Sequence, residues 1–229
     1  MVTVISLGGS IVAPDGVDEA YLKDFAALIK EFIAQDEKRR FILVVGGGGP
    51  ARTWQKAYRN ICQAEDNEQA DWIGIMATRL NAQLVKAIMG ELCTQDVVTD
   101  PTQVEPLMGR VLVASGWKPG FSSDYDAVLL AERFHAEAVI NLSNIEKVYT
   151  DDPKKNPAAK PIDAISWTDF CAMVGTEWVP GKNVPFDPIA SRYASKMGLK
   201  VICAAGKNLQ NLRNILSDRD FIGTTISET

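Results

Sequence analysis

The segment Phe41-Ile-Leu-Val-Val-Gly-Gly-Gly-Gly-Pro-Ala-Arg52 decides the fold, because a short apolar run passes directly into four glycines. The run over 41–45 is typical of a strand buried on both faces. Glycine lets the backbone approach a phosphate closely and accepts positive φ. Arg52, one turn further on, adds a fixed positive charge suited to phosphate oxygens. The segment therefore predicts a strand, a phosphate-binding loop and a helix N-terminus, in that order.

Short buried runs of the same kind recur along the chain and alternate with helical patterns. The runs predict strands over 2–6, 111–114, 138–142 and 200–204. Apolar residues at helical spacing predict helices over 21–36, 71–92 and 124–134. Such alternation is typical of crossover units, so we expect an α/β fold with a mainly parallel sheet.

Length and composition bound the function. The 229 residues suffice for one large α/β domain or two small ones, and 46% hydrophobic with 23% charged residues excludes disorder for the bulk. A net charge of -5 disfavours nucleic acid as a partner but leaves room for a local phosphate pocket. The N-terminus has no signal-peptide pattern, and no apolar run reaches the roughly 20 residues that span a bilayer, so we expect a cytoplasmic protein that does not bind membranes.

Cysteine and histidine usage narrows the chemistry. The four cysteines lie at long spacings, which disfavours structural zinc and a disulfide framework. The single histidine, His135, has charged neighbours and is predicted to be a solvated helix residue. Histidine-dependent triads and His-rich metal sites are therefore disfavoured, and we expect no protein metal site.

Two polar, proline-punctuated stretches interrupt the rhythm and predict loops. The first covers 149–161 and is expected to be exposed and to separate an N-terminal from a C-terminal half. The second covers 174–188 and includes Trp178 and Gly181.

A second glycine cluster, Gly8-Gly9-Ser10, follows the first predicted strand and fits either a tight turn or a phosphate loop. A Walker loop is excluded by spacing, since its nearest approach, 175–183, has five residues between glycines and ends in Asn. A dinucleotide fingerprint remains open, since Gly46, Gly48 and Ala51 fit GxGxxA with Glu65 or Asp66 near the distance for a ribose. Two glycine loops facing each other suit instead a polyphosphate passed between two molecules.

The stretch 116–124, Gly-Trp-Lys-Pro-Gly-Phe-Ser-Ser-Asp, follows the third predicted strand. Ser122 or Ser123 can N-cap the next helix, and Asp124 can complement its dipole. As a functional loop, the stretch can bind a phosphorylated acceptor through backbone amides, hydroxyls and Lys118.

With these segments assembled, the chain resembles the amino acid kinase superfamily and, within it, the uridylate (UMP) kinases of the archaeal-type subgroup. The resemblance spans almost the whole length. Its ordered motifs are Gly8-Gly9-Ser10, 44–48, Ala51-Arg52, 71–82, 119–124, 148–155 and Asp187-Pro188. It implies a three-layer αβα sandwich in one domain, with an acceptor-binding lobe over 1–142 and an ATP-binding lobe over 143–229. It also implies Mg²⁺ with ATP and a homo-oligomer, commonly a hexamer.

The resemblance assigns residues to two substrates. The positions that match an ATP site are Gly9, Ser10, Gly48, Arg52, Ser143, Asn144, Tyr149 and Asp152. The positions that match a UMP site are Gly47, Asp71, Trp117, Lys118, Pro119, Gly120, Phe121, Ser122 and Ser123. Arg52 and Asp124 match the catalytic positions, with Asp124 organising the transfer site.

This chain departs from the family pattern at three places. Ser6 stands where many members have lysine, Glu146-Lys147 replaces Asp-Gly, and Trp117 with two serines replaces threonines in the acceptor loop. Charge neutralisation then falls on Arg52, magnesium and backbone amides. Isopentenyl phosphate kinase, acetylglutamate-type kinase and a non-catalytic nucleotide-binding protein remain alternatives.

Overall fold

A computed structural model describes residues 1–63, 66–175 and 184–228 as alternating strands and helices. The strands are β1 (Val2–Leu7), β2 (Arg40–Val45), β3 (Val111–Ala114), β4 (Ala138–Ser143), β5 (Val148–Tyr149), β6 (Pro161–Ile162), β7 (Ala164–Ser166), β8 (Lys200–Ala205) and β9 (Thr224–Ser227). The helices are α1 (Gly9–Val12), α2 (Glu19–Gln35), α3 (Gly48–Cys62), α4 (Asn67–Met89), α5 (Ser123–Arg133), α6 (Trp167–Val174), α7 (Pro188–Lys196) and α8 (Leu209–Leu216). A 3₁₀ turn, Gly90–Leu92, follows α4.

Seven strands form the central sheet in the order β3-β2-β1-β4-β8-β9-β7. The five predicted strands are all present and pair in parallel. β9 runs antiparallel to its neighbour β8, and β7 is parallel to β9, so both of these strands run opposite to the other five. The predicted α/β class with a mainly parallel sheet is confirmed.

The strand order changes direction at β1, because β2 and β3 lie on one side of it and β4 and β8 on the other. In open parallel sheets, the crevice outside the carboxyl ends of the strands at such a switch point is where ligands bind. The loops after β1, β2, β3 and β4 all open at this edge, so the topology brings the predicted glycine loops together.

Helices cover both faces of the sheet, as the three-layer sandwich requires. On one face, side chains of α2, α4 and α8 pack on the sheet around Phe25 and Ile29. On the other, α5, α6 and α7 pack around Phe170 and Phe186. Buried apolar area on each face supplies the main stabilising free energy of this arrangement.

Helix boundaries differ from the predicted ones because polar caps extend the N-termini. α4 begins at Asn67 rather than Asp71, since the Asp66 carboxylate accepts a hydrogen bond from Gln69 N at 3.1 Å. α2 begins at Glu19, where Asp18 accepts from Tyr21 N. α5 begins at Ser123 with Ser122 as its cap, which confirms the capping interpretation of that serine.

The first predicted loop is confirmed and the second is corrected in part. Residues 150–160 are mostly exposed and connect the antiparallel pair β5 and β6. In the second, 176–183, including Trp178 and Gly181, lie outside the described residues. Asp187 is not loop but the N-cap of α7, and Pro188 is its first residue.

The prediction that His135 is helical was wrong. α5 ends at Arg133, and His135 is an exposed turn residue with a φ of 51°. A helix cannot continue through such a left-handed backbone. All four cysteines are free, as expected. Among the described residues, no helix is long and apolar enough to cross a membrane.

Candidate active site

The two glycine loops press directly against each other at the switch point of the sheet. A Cβ atom on Gly9 would lie 2.0 Å from Gly48 N, and one on Gly46 would lie 2.4 Å from Gly9 N. Gly48 also has a φ of +67°, which side chains rarely adopt. The contact is therefore between bare backbones, and it places the N-termini of α1 and α3 side by side. Neither N-terminus has a side-chain cap.

A buried amide fixes the second glycine loop from below. Asn81 of α4 donates from Nδ2 to the carbonyl oxygens of Gly46 at 2.9 Å and Gly47 at 3.1 Å. Asn81 is 3% exposed. The carbonyls of the loop are therefore turned toward α4 and bonded to it.

Arg52 lies exposed on the first turns of α3, at the rim of the glycine loops. Its Nη2 donates to Pro14 O at 3.0 Å, just beyond α1, and Gly49 N donates to Ala13 O at 2.8 Å. These bonds tie the first glycine loop to α3. They also hold the guanidinium against the chain just after α1, one turn beyond the N-terminus of α3.

Asp124 lies in the first turn of α5 and is held from two sides. Ser6 Oγ donates to Oδ1 at 3.2 Å, and Asp187 N donates to Oδ2 at 3.2 Å. Burial and the negative charge of Asp187 raise the pKa of Asp124 to about 6. Burial also raises the pKa of Asp187. Two carboxyl groups are thus crowded together at the carboxyl end of β1.

The 116–121 loop bridges α4 and α5. Thr78 of α4 accepts from Gly116 N at 2.8 Å, and the Asp71 carboxylate accepts from Gly120 N at 3.2 Å. From α5, Asp126 accepts from Trp117 N at 3.2 Å. The structure therefore brings Asp71 and the loop together, two parts of the chain that the resemblance assigned to one substrate.

An open cleft of about 500 Å³ lies beside this loop. It is lined by Asn67, Glu68, Asp71, Trp72, Lys118, Pro119 and Gly120. The ammonium of Lys118 lies 3.8 Å from the ring centroid of Trp117 and 5.2 Å from that of Phe121. The cleft lining thus offers one cation, carboxylates and one aromatic ring, that of Trp72, a mixture that can bind a nucleotide. The serine hydroxyls lie at the start of α5, where Ser122 caps the helix and also faces Asp187.

The remaining predicted residues follow β4. Ser143 ends that strand, and its carbonyl accepts from Gly206 N at 2.8 Å, next to the bond from Gly8 N to Leu142 O. Asn144 comes next. Tyr149 and Asp152 lie on the β5–β6 hairpin, where Asp152 is 3.8 Å from the Lys155 ammonium. Their roles at a nucleoside stay predictions.

Four polar side chains that organise this site were assigned no site role from the sequence, although three of them lie in the motifs 71–82 and Asp187-Pro188. Thr78 and Asn81 lie three residues apart on the buried side of α4, and Asp126 and Asp187 lie near helix N-termini. Thr78 and Asn81 could have been found from the sequence, because they are polar residues within the apolar stripe of a predicted helix. Among the described residues, no group of three or more His, Cys, Asp or Glu side chains could hold a metal ion.

The amino acid kinase family model matches residues 1–205. The chain belongs to the amino acid kinase family. It is 33% identical to a uridylate kinase of Methanospirillum hungatei over 227 residues, covering 98% of this chain and 94% of that one. It is 32% identical to a uridylate kinase of Thermoplasma volcanium over 231 residues, with 98% and 97% covered.

Solved structures agree with this family membership. The crystal structure of uridylate kinase from Archaeoglobus fulgidus superposes with a TM-score of 0.83 at 31% identity, covering 99% of this chain and 100% of that one. A UMP kinase from Bacillus anthracis has a TM-score of 0.77 at 20% identity, with 99% and 96% covered, and supports the fold alone. The predicted resemblance to archaeal-type uridylate kinases is confirmed.

We expect Gly9→Ala to destabilise the protein by about 1–3 kcal/mol, because the added methyl overlaps backbone atoms of the facing loop. Gly16→Ala is the control, since a Cβ there meets nothing within 4 Å and should change stability by less than about 0.5 kcal/mol. Urea denaturation measures both. Equal stabilities of the two variants would contradict the close contact.

We expect Asp124→Asn to raise the melting temperature more at pH 7.5 than at pH 4.5. Because the pKa of Asp124 is raised to about 6 in the folded protein, the protonated carboxyl stabilises the fold below its ordinary value of 3.8, and this stabilisation is lost as pH rises through about 6. Asparagine stays neutral throughout. Thermal unfolding at the two pH values checks this.

Asp96→Asn is the control with the opposite sign. A hydrogen bond from Lys86 lowers the pKa of the exposed Asp96 carboxyl, so removing its charge should not raise the melting temperature at pH 7.5. The prediction fails if Asp124→Asn shifts the melting temperature equally at both pH values.

Proposed function

We propose that the protein is a UMP kinase, which transfers the γ-phosphoryl group of Mg·ATP to the phosphate of UMP and gives UDP for pyrimidine nucleotide synthesis. The observation that carries this proposal is the pair of interlocked glycine loops beside a cleft with nucleotide-binding chemistry. Relatives named uridylate kinase, 30–33% identical over nearly the whole chain, support it.

The reaction needs no general base. A phosphate monoester carries a charge of about -1.5 to -2 at pH 7, so the attacking oxygen arrives ionised. A chain whose one histidine lies exposed after α5 suits such a reaction. The difficulty is electrostatic, because two anions must be brought into line.

The glycine loops and Arg52 answer this difficulty on the donor side. In this proposal Gly9, Ser10 and Gly48 present backbone amides to the ATP phosphates, and the Arg52 guanidinium neutralises charge on the transferring group. Ser6 leaves the position of a family lysine neutral. Magnesium would arrive with the substrate as Mg·ATP. Arg52 and the backbone amides would then neutralise the phosphate charge that magnesium leaves.

On the acceptor side, Asp71 takes the ribose or base of UMP and the loop amides with Gly47 take its phosphate. Lys118 and the serines at the start of α5 complete the acceptor site, with Trp117, Pro119, Gly120 and Phe121 forming its wall. Asp124, ionised at neutral pH because its pKa is about 6, holds the Ser6 hydroxyl and the Asp187 amide between donor and acceptor. It thereby keeps β1, α5 and α7 in register during transfer.

We further propose that residues 1–142 bind the acceptor and residues 143–229 bind ATP through Ser143, Asn144, Tyr149 and Asp152. The cleft residues all lie in the first segment. We also propose a cytoplasmic homo-oligomer, a hexamer. The exposed apolar side chains Trp54, Ile61, Met76 and Leu80 on α3 and α4 support a subunit interface, and a solution mass near 25 kDa would contradict it.

A coupled assay with Mg·ATP and either UMP, CMP, isopentenyl phosphate or acetylglutamate tests the activity. We expect UMP to give the highest kcat/KM, because the relatives that this chain matches over nearly its whole length are named uridylate kinase. Absence of turnover with UMP, at concentrations where nucleotides bind, would overturn the kinase proposal and favour a nucleotide-binding protein without activity.

Arg52→Ala should lower kcat with UMP by more than about tenfold, because it removes a positive charge placed at the transferring group. Arg59→Ala, exposed on the last turns of the same helix, is the matched control and should keep the wild-type rate. A rate for Arg52→Ala equal to that of the control would remove Arg52 from the mechanism.

A further inference from the structure

Asp126 is a fully buried carboxyl group that the proposed chemistry does not use. It lies on α5, two residues after Asp124, with 0% of its surface exposed. Its Oδ2 accepts a hydrogen bond from Trp117 N at 3.2 Å, whereas its Oδ1 is buried and has no hydrogen-bond partner among the described residues. Burying a carboxyl group with one unpaired oxygen costs free energy of folding, which indicates that Asp126 has a role under the 116–121 loop.

The 116–121 loop has more hydrogen bonds to α4 than to α5. α4 holds it at three points, through Thr78 to Gly116 N, through Asp71 to Gly120 N, and through Arg79 Nη2 to Trp117 O at 3.4 Å. From α5, the bond from Trp117 N to Asp126 is the one hydrogen bond to this loop seen in the described chain. The ring of Phe121 also packs against that of Tyr125 on α5, with centroids 5.0 Å apart and ring planes tilted by 34°.

The charges around Asp126 favour a neutral carboxyl. Burial, together with the carboxylates of Asp124 on α5 and Asp100, raises the pKa of Asp126 to about 7, although the hydrogen bond from Trp117 N acts in the opposite direction. The Arg79 guanidinium faces the opposite side of the loop backbone, at Trp117 O. A protonated Asp126 keeps the carbonyl-type oxygen as acceptor for Trp117 N without adding a third buried negative charge.

We propose that Asp126 is a positioning residue, which fixes the 116–121 loop on the helix that carries Asp124 and so sets how the acceptor lies against the transfer site. Asp124 and Asp126 share the first turns of α5. The hydrogen bond from Trp117 N to Asp126 therefore sets the distance between the amides of the 116–121 loop and Asp124. This inference rests on the proposed UMP kinase function.

Kinetics of Asp126→Ala and Asp126→Asn test the proposal. The alanine variant should raise KM for UMP by about tenfold or more, the effect of losing one buried hydrogen bond, while KM for ATP stays within about twofold. The asparagine variant, whose side-chain oxygen accepts from Trp117 N, should restore KM for UMP to within about threefold. Should the alanine variant not fold, Asp126→Val fills the same space without an acceptor and takes its place.

Asn211→Ala is the matched control. Asn211 is 5% exposed on α8 and also holds a loop, through Ile222 N at 2.7 Å and Ile222 O at 2.6 Å, away from the cleft. It should lose stability without a change in either KM. An unchanged KM for UMP in Asp126→Ala, or an equal rise in both KM values, would overturn the positioning role.

Hydrogen exchange of the free protein separates this inference from the proposed function. Peptides covering 116–121 should exchange at least about tenfold faster in Asp126→Ala than in wild type, and at the wild-type rate in Asn211→Ala. If wild type fails to phosphorylate UMP yet shows this difference, the function is wrong and the attachment of the loop is supported. Unchanged exchange in Asp126→Ala overturns the inference whatever the activity.

Discussion

The backbone contact between Gly9 and the second glycine loop is the constraint on which the rest of the site depends. Two loops that leave neighbouring parallel strands meet at the switch point, and there is no room between them for even one methyl group. This brings two helix N-termini together, and neither has a side-chain cap. Asn81 holds the second loop through its carbonyls, and Arg52 is bonded to the chain just after α1, so both side chains are attached to this pair of loops.

Three acidic side chains are buried close to the glycine loops, which lowers the free energy of unfolding. Burial raises the pKa of Asp124, Asp126 and Asp187, and neighbouring carboxylates also raise the pKa of Asp124 and of Asp126. The N-termini of α5 and α7 offset part of this cost through their dipoles. Sites that keep such groups commonly exchange stability for function, and the pattern agrees with a centre built to order substrates rather than to maximise stability.

The sequence predicted what is determined locally. Five buried strands, both glycine loops and the cap Ser122 follow from apolar runs and turn residues, and the structure has them where expected. What it could not predict depends on pairing across long separations. Asn81 meets a loop 34 residues earlier, and Asp187 N meets Asp124 63 residues earlier. The prediction that His135 is helical was wrong for a local reason. The left-handed backbone at His135 cannot continue α5, although the charged and apolar pattern around it is typical of a helix.

The antiparallel strand β9 has a consequence for the order in which the sheet can form. It lies between β8 and β7, so β7 has no partner in the main sheet until residues 224–227 have been synthesised, about 60 residues later. Thr224 also accepts a hydrogen bond from Val148 N, which anchors the β5–β6 hairpin. During translation the strands around the glycine loops can assemble first, and the hairpin side of the molecule closes last.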